Sequence, residues 1–277
     1  MGRAFPSKQD EIDRTRSYVT REEAVFAKMI YQSLRCRISD AVTQALRPLP
    51  TVFAGWEGGS AAFGAVDAYS DIDLEYIVAD DAAFGDLYAI AERAIEVVSP
   101  ITASHTPLKG RYYKLKDGGD FFLVDLIFFR AGEPDQQLDI ERHGQKLPLF
   151  DKGDWLRAKP LDEGALAVQR DRRYRELQTW FPMSQVFVRK AILRGQHVEA
   201  IGAFWAYTLK PLADLLRMRY RPVRWDFGVR YLDRDLPPAV YDQIRDLALV
   251  SDLRDLEIKL ARATVWGAAL LRELESL

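Results

Sequence analysis

Two carboxylates separated by a single residue are the clearest chemical feature of this sequence. Asp71 and Asp73 lie in the stretch Ser70–Val78, which alternates polar and apolar residues as a β-strand does. Side chains two residues apart in a strand point to the same face, so these carboxylates should lie side by side while Ile72 and Leu74 face the opposite way. Adjacent ionised carboxylates repel each other, and a divalent cation removes that repulsion. The pair therefore predicts a Mg²⁺ site.

A glycine-rich turn precedes this strand. Gly58 and Gly59 are followed by Ser60, and Gly64 closes the segment. Backbone N–H groups can approach a triphosphate closely where there is no Cβ, and a helix N-terminus favours an anion. Because Mg²⁺ usually keeps substrate phosphates among its ligands, we expect Gly59 and Ser60 to bind the phosphates of a nucleotide beside the metal.

A third carboxylate lies inside an apolar strand. The run Phe121–Phe129 is apolar except for Asp125. A charge in a buried strand is costly unless it is paired or coordinates a metal. Asp125 shares a strand face with Leu123 and Ile127, and it would meet the Asp71/Asp73 face if the two strands are neighbours. Three carboxylates beside a phosphate-binding turn suit nucleotidyl transfer with two metal ions, one activating the attacking oxygen and one stabilising the leaving pyrophosphate.

These motifs resemble the signature of the DNA-polymerase-β-like nucleotidyltransferase superfamily. The signature consists of Gly59-Ser60, then Asp71-Ile72-Asp73-Leu74, and a later isolated carboxylate in an apolar strand. The wording GGSAAFG…YSDIDL most resembles the small-molecule branch, which contains the aminoglycoside and lincosamide nucleotidyltransferases and their relatives. The motifs cover about residues 52–130, and the rest of the chain resembles that branch only in its general plan.

The resemblance implies a role for each motif residue. Asp71 and Asp73 would hold both metal ions, and Asp125 would either bind the second ion or accept the proton of the attacking hydroxyl. Gly59 and Ser60 would bind the β- and γ-phosphates. Between the two roles of Asp125 the sequence does not choose.

The resemblance also implies an enzyme of the nucleotidyltransferase type. It would move a nucleoside monophosphate, AMP from ATP or that of another NTP, to a hydroxyl of a small molecule such as an aminoglycoside or lincosamide antibiotic, releasing pyrophosphate. In such relatives an early helix of the helical domain often supplies a lysine, which makes Lys190 in Phe187–Leu193 a candidate phosphate contact; a solvated helix face is an equally good interpretation. Small-molecule sites favour domain interfaces, so we expect the acceptor between the two domains.

The patterning predicts an α+β protein of two domains. Residues 1–150 would form a catalytic domain, with a small mixed β-sheet flanked by helices and a poorly ordered arm at residues 1–19. Residues 151–277 would form an all-α helical bundle that binds substrate. A capping box at Thr20 opens the first predicted helix, which should end near Pro48. Residues 131–160 lack periodicity and read as a connecting segment.

The other predicted elements follow from periodicity and turn residues. In the first domain they are a strand at 51–55, a helix at 82–98, a strand at 101–105 and a hairpin over 111–129. In the second they are helices at about 162–180, 184–195, 197–219, 237–249 and 252–275. Pro211 should kink or divide the third of these helices.

Composition limits the partners. The formal net charge is −2, which argues against wrapping nucleic acid because such proteins carry a basic surface. The single cysteine, Cys36, excludes an intramolecular disulfide, and we expect it to be buried. No apolar run reaches the roughly 18 residues of a membrane span, and the N-terminus lacks a signal-peptide pattern, so we expect a cytoplasmic protein. If it forms a homodimer, the N-terminal arm or the final helix is the candidate surface.

Two alternatives stay open. The same chemistry could act on a protein or RNA acceptor, or the fold could serve as a non-catalytic nucleotide-binding regulatory module. Among other charged residues, Glu75 is interpreted as an exposed strand end rather than a general base, and Arg111 and Lys114 as solvated strand residues rather than triphosphate contacts. The arginines around residue 220 are interpreted as complementing a helix end, with an anion-binding patch as the alternative; they are Arg217, Arg219, Arg221 and Arg224.

Overall fold

The computed structural model describes residues 21–133, 136 and 138–275, with side chains from residue 33 onward. The chain falls into two compact units that divide between Pro160 and Leu161. The first carries a six-stranded mixed sheet and the second is helical, so the predicted α+β class is confirmed. The predictions for Thr20 and for the arm at 1–19 concern residues outside the described part. No described helix is both long enough and apolar enough to cross a membrane.

The first unit contains both helices and strands. In chain order its elements are α1 (Arg21–Leu46), β1 (Val52–Glu57), α2 (Gly59–Ala62), β2 (Ile72–Val78), α3 (Phe84–Val98), β3 (Ile101–His105), β4 (Arg111–Leu115), β5 (Leu123–Arg130), α4 (Ile140–His143) and β6 (Leu147–Asp151). The sheet order is β3-β4-β5-β2-β1-β6. Strands β2 and β5 run parallel, whereas the other neighbouring strands are antiparallel. The chain thus places β5 beside β2 through a crossover that contains α3 and the β3–β4 hairpin.

One face of the central strand builds the core. Ile72, Leu74 and Tyr76 of β2 are fully buried and belong to the same apolar cluster as Ile38 of α1 and Ile95 of α3. Burying a side chain of this size contributes roughly 1.5–3 kcal/mol. Because strand side chains alternate, this packing fixes the register of β2 and turns its carboxylates to the other face.

The described residues of the segment 131–160 include secondary structure that was not predicted. It contains α4 and β6, and β6 pairs antiparallel with β1 at the edge of the sheet. The sequence Leu147-Pro148-Leu149-Phe150-Asp151 hides this strand because it has no polar–apolar alternation, and only Phe150 is buried. Proline is tolerated in an edge strand, where one side of the backbone needs no partner.

The second unit consists of helices. They are α5 (Glu163–Leu193), α6 (His197–Phe204), α7 (Lys210–Tyr220), α8 (Leu232–Asp235), α9 (Pro238–Ala248) and α10 (Leu253–Glu275). A π-helical turn, Trp205–Leu209, joins α6 to α7. Pro211 lies in the first turn of α7, directly after the π-helical turn. The backbone keeps helical dihedral angles across this turn, so the helix is interrupted by a π turn near Pro211 and is not divided. The short helix α8 was not predicted.

The break predicted after residue 180 is wrong, because α5 continues through Pro182. Proline removes one backbone N–H from a helix. The residues that follow Pro182 are nevertheless held by side-chain hydrogen bonds to α5 and to the π-helical turn. The Gln185 amide donates to the carbonyls of Phe181 (2.7 Å) and Tyr207 (3.0 Å), and the Ser184 hydroxyl lies 3.2 Å from the Phe181 carbonyl. These bonds tie α5 to the π-helical turn.

Two further expectations are wrong. Cys36 is exposed on α1, because the helix turns the neighbouring Leu34 and Arg35 inward instead. Arg217 does not complement a helix end at the surface. Its side chain is fully buried in α7 and pairs with Asp235.

Candidate active site

The parallel pairing of β2 and β5 brings two predicted carboxylates together. Asp73 lies directly opposite Asp125 in the strand register, and neighbouring strands are about 5 Å apart. Asp71 immediately precedes β2, and its Oδ1 accepts a hydrogen bond from the Leu123 N–H at 3.2 Å. All three carboxylates therefore lie at the same end of β2 and β5.

The glycine turn lies directly on these carboxylates. Gly59 has φ +52°, and a Cβ built there would lie 1.8 Å from Asp73 Oδ2. At Gly58 a Cβ would lie 2.6 Å from Glu75 Oε1, and the Gly58 N–H donates to the Asp73 carbonyl at 2.9 Å. Only glycine fits such close contacts, and at Gly59 the left-handed backbone requires it as well. The predicted neighbourhood of turn and carboxylates is therefore seen in the structure.

Several polar groups of the site are open, by which we mean buried without a hydrogen-bond partner among the described residues. The Ser60 hydroxyl and Asp125 Oδ1 have no hydrogen-bond partner among the described residues. The first backbone hydrogen bond of α2 runs from the Ala62 N–H to the Gly58 carbonyl at 3.3 Å, so the helix itself does not use the N–H groups of Gly59 and Ser60. Leaving a buried polar group unpaired costs about 1–3 kcal/mol. Phosphate oxygens and a cation would satisfy these donors and acceptors.

Burial disfavours the ionised form of the carboxyl groups at this site. Asp125 is 8% exposed, and burial together with the neighbouring charge of Asp73 raises its pKa to about 7. Burial also raises the pKa of Asp71, although the Leu123 N–H and the Arg35 guanidinium oppose that rise. A bound cation would reverse the sign of these effects, because it favours the ionised form.

Tyr112 is a site residue that the sequence analysis missed. It lies on β4 opposite Asp125, with its phenol near the Asp125 carboxylate. Burial and this carboxylate raise the pKa of Tyr112, so the phenol stays a donor. Lys114 lies on the same face of β4, and its ammonium donates to the Asp120 carbonyl at 2.7 Å. Alternation within the predicted hairpin places Tyr112 on the face of Lys114, which the sequence analysis did consider, and could have identified it.

Arg111, one position before Tyr112, points to the opposite face of the sheet. Its guanidinium pairs with Glu92 of α3 at 2.7 Å and lies 4.3 Å from the centroid of the Tyr88 ring. It is therefore neither a solvated strand residue nor a contact of the carboxylate site. Arg111 and Tyr112 are consecutive residues of β4, so their side chains point to opposite faces of the sheet.

Glu75 is also wrongly predicted as an exposed strand end. It is 5% exposed beneath the glycine turn, and burial raises its pKa to about 7. The ammonium of Lys146, whose side chain is 8% exposed, lies 3.7 Å from Glu75 Oε2 and 5.4 Å from the centroid of the Trp56 ring. Lys146 has no signal in the sequence pattern, because it lies just before the unpredicted strand β6.

The oxygen donors fit Mg²⁺. Within the described residues, no group of three or more His, Cys, Asp or Glu side chains is already arranged to hold a metal ion. Mg²⁺, however, usually takes only one or two protein carboxylates and completes its shell with water and substrate phosphates. The open Oδ1 of Asp125 and the adjacent Asp73 provide such a pair. Asp71 is the third candidate, with one oxygen already hydrogen-bonded.

Lys190 belongs to the second unit. It lies on α5 with an exposed side chain. Its assignment as a phosphate contact stays a prediction.

Two adenyltransferases and one c-di-GMP synthase are among the solved structures similar to this chain. One is an aminoglycoside 6-adenyltransferase from Bacillus subtilis, with 12% identity and a TM-score of 0.37, covering 88% of this chain and 90% of that one. Another is spectinomycin adenyltransferase AAD(9) from Enterococcus faecialis with ATP and spectinomycin, with 10% identity, a TM-score of 0.36, and coverage of 87% and 99%. The third is the STING-associated c-di-GMP synthase CdnE from Capnocytophaga granulosa, with 16% identity, a TM-score of 0.32, and coverage of 97% and 94%.

Adenyltransferases are thus among the structures similar to this chain, as the motifs predict. Identities of 10–16% with TM-scores below 0.4 are a distant likeness, too distant to transfer an activity. No protein-family model matches the chain, and neither does any curated protein.

Proposed function

We propose that the first unit catalyses Mg²⁺-dependent transfer of a nucleoside monophosphate from an NTP to a hydroxyl of a small molecule. The observation that carries this proposal is the pair Asp73 and Asp125, side by side in the parallel register beneath the Gly59 turn. Buried carboxylates at this spacing disfavour the metal-free protein and suit a cation. The open Ser60 hydroxyl beside them suits a phosphate oxygen.

The phosphates would lie against the turn. In this arrangement the N–H groups of Gly59 and Ser60 and the Ser60 hydroxyl donate to the β- and γ-phosphate oxygens. Asp73 and Asp125, with Asp71, would hold Mg²⁺, which would supply positive charge to offset the charge of the phosphates and of the leaving pyrophosphate. The turn then fixes the α-phosphorus in front of the carboxylates, and such positioning is a large part of catalysis in phosphoryl chemistry.

The transfer exchanges one bond for another. A bond forms between the acceptor oxygen and the α-phosphorus while the bond from that phosphorus to the β-phosphate oxygen breaks, and pyrophosphate leaves. The acceptor hydroxyl loses its proton to a base. Asp125 suits this role when ionised, because Oδ1 is open and the carboxylate lies beside Asp73. Its position supports the role of metal ligand equally well.

The nucleotide and the acceptor belong to the proposal. ATP is our first candidate donor, and aminoglycosides and lincosamides are the first candidate acceptors, as the motif resemblance implies. Lys190 of the second unit would add positive charge near the phosphates.

The test is pyrophosphate release with Mg²⁺ and each of the four common NTPs, with and without a panel of aminoglycosides and lincosamides. We expect release with one NTP that depends on one acceptor class and disappears in Asp73→Asn. The matched control is Asp80→Asn, since Asp80 follows the far end of β2 and its carboxylate accepts only the Gly132 N–H at 2.8 Å among the bonds described. We expect this control to keep its activity.

Three other outcomes would change the proposal. Activity that persists in Asp73→Asn would overturn the metal assignment. Mg²⁺-dependent nucleotide binding without release for any acceptor in the panel would contradict a small-molecule acceptor of these classes and direct the search to protein or RNA. The absence of nucleotide binding by the native chain would refute nucleotidyl transfer itself.

A further inference from the structure

A short segment outside the motif region touches the glycine turn at its far end. The segment Gly144–Lys146, which we call the brace, follows α4 and leads into β6. The Gln145 N–H donates to the Ala62 carbonyl at 2.9 Å. A Cβ built on Gly144, which has φ +77°, would lie 2.6 Å from that same carbonyl oxygen. The brace therefore packs tightly against the last residue of α2.

The brace also reaches the beginning of the turn. The Lys146 ammonium lies 3.7 Å from Glu75 Oε2, and the other carboxylate oxygen of Glu75 lies against Gly58. Oε2 has no hydrogen-bond partner among the described residues, so Lys146 and Glu75 form an ion pair without a hydrogen bond. Both side chains are more than nine-tenths buried. The brace thus supports α2 at both ends, once through the backbone and once through a buried ion pair.

We propose that the brace positions the glycine turn for the phosphates of the NTP, with Lys146 acting through Glu75 on Gly58 and Gly144 acting on Ala62. We regard them as positioning residues, because Lys146 pairs with Glu75 beside Gly58 and Gly144 lies against Ala62; the charge of Lys146 also acts on Asp73. The proposal rests on the phosphate-binding function proposed above for the turn. Displacing a reacting group by about 1 Å can cost a hundredfold in rate, so support of the turn matters for function.

The first test compares two glycines of the same unit. Gly144→Ala and Gly119→Ala both place a side chain at positive φ, +77° and +63°, but only at Gly144 does the new Cβ meet a backbone oxygen; at Gly119 nothing lies within 4 Å. We measure the affinities for Mg²⁺–ATP and for inorganic tripolyphosphate, and the KM and kcat of the reaction. Gly144→Ala should weaken both affinities by about tenfold and raise KM more than it lowers kcat. Gly119→Ala should leave the two affinities, KM and kcat unchanged.

The second test uses a pair of buried lysines. Lys146→Met is compared with Lys259→Met, since Lys259 in α10 has a similarly buried side chain that pairs with Asp255 at 3.0 Å. Lys146→Met should weaken ATP and tripolyphosphate binding by about tenfold, and Lys146→Arg, which keeps the charge, should restore affinity to within about threefold. Lys259→Met should leave both affinities unchanged at temperatures where it is folded.

The outcomes separate this proposal from the function on which it rests. If the native chain binds both probes and Gly144→Ala and Lys146→Met bind them equally well, the brace proposal is overturned while the proposed function stands. If the native chain binds neither probe, the proposed function fails and the brace loses its role with it. If Gly144→Ala or Lys146→Met does not fold, Lys146→Arg decides: an affinity within about threefold of the native chain supports the brace, and a loss of about tenfold or more in the folded Lys146→Arg variant contradicts it.

Discussion

The two units bury charge in opposite ways. In the second unit, Arg217 is fully buried and every nitrogen of its guanidinium donates a hydrogen bond. Nε donates to the Gly228 carbonyl at 2.7 Å, Nη1 to Asp235 at 2.5 Å, and Nη2 to the Arg230 carbonyl. This saturated centre holds the loop between α7 and α8 against α7. A buried polar network of this kind has a structural purpose.

The carboxylate site of the first unit is left unsaturated. Ser60 Oγ, Glu75 Oε2 and Asp125 Oδ1 are buried there without hydrogen-bond partners among the described residues. Such groups lower the free energy of unfolding, and they persist where a ligand completes them. Other open atoms, such as Arg111 Nε and Trp225 Nε1, lie outside the site, whereas three lie together at the glycine turn. The contrast with the saturated centre therefore rests on this cluster of open groups, which suits a ligand.

Removing the saturated centre should have the largest effect on stability. Arg217→Met leaves the carboxylate of Asp235 buried without its main partner, and we expect the free energy of unfolding to fall by about 3–5 kcal/mol. Denaturant unfolding measures this change. The matched control is Arg262→Met, whose pair with Asp246 is about half exposed on both sides, and it should cost at most about 1 kcal/mol. Equal losses in the two variants would break the comparison.

Altering the turn should have the next largest effect, and on ligand binding rather than on stability. In Gly59→Ala the new Cβ would overlap Asp73 Oδ2, so the turn must move away from the carboxylates. We expect a loss of about a hundredfold in Mg²⁺–ATP affinity, measured by titration. The strain of positive φ costs roughly 1–2 kcal/mol of stability in this variant and equally in Gly119→Ala, which should keep its affinity. Retained affinity in Gly59→Ala would contradict the phosphate site.

The open part of the site was largely predictable, because it depends on local patterns. Alternation in Ser70–Val78 sets the face of Asp71 and Asp73, and the lone charge in Phe121–Phe129 identifies Asp125. The side-by-side register of Asp73 and Asp125 was not predictable. A shift of one residue in β5 would turn its carboxylate to the other face, and only packing of the whole sheet excludes that shift.

The buried ion pairs were not predictable, because each joins distant segments whose burial is set by tertiary packing. Glu75 and Lys146 meet only after β6 has paired with β1 at the sheet edge, and a short edge strand has little sequence signal. Arg217 reads as a surface residue among other arginines, yet α7 is buried around most of its circumference. A charge pattern alone indicates an exposed helix face. That inference fails where the fold buries the charged group and satisfies its hydrogen bonds.

Asp125→Asn should stabilise the metal-free chain, and the gain should depend on pH. The pKa of Asp125 is raised from 3.8 to about 7, so the folded state keeps a proton that the unfolded state loses, and native stability falls as pH rises between these values. The variant lacks this titration. Its melting temperature in chelator should therefore exceed that of the native chain by a few degrees at about pH 8 and by less at about pH 5. Thermal denaturation at both values measures the difference.

Adding Mg²⁺ sharpens this prediction. An ion bound to ionised Asp125 stabilises the native chain by mass action, more strongly at the higher pH, and Asp125→Asn should lose most of that stabilisation. A variant that melts below the native chain in chelator at about pH 8 would contradict an unfavourable buried carboxylate.

The smallest effect separates two buried serines. The Ser60 hydroxyl is open, whereas the fully buried Ser184 hydroxyl lies within hydrogen-bonding distance of the carbonyls of Phe181 and Tyr207. Ser60→Ala should leave the free energy of unfolding unchanged or raise it by up to about 1 kcal/mol, because it removes an unpaired polar group, and it should weaken Mg²⁺–ATP binding about fivefold. Ser184→Ala should lower stability by about 1 kcal/mol and leave binding unchanged. If both substitutions changed stability and neither changed Mg²⁺–ATP affinity, the Ser60 hydroxyl would not contact the nucleotide.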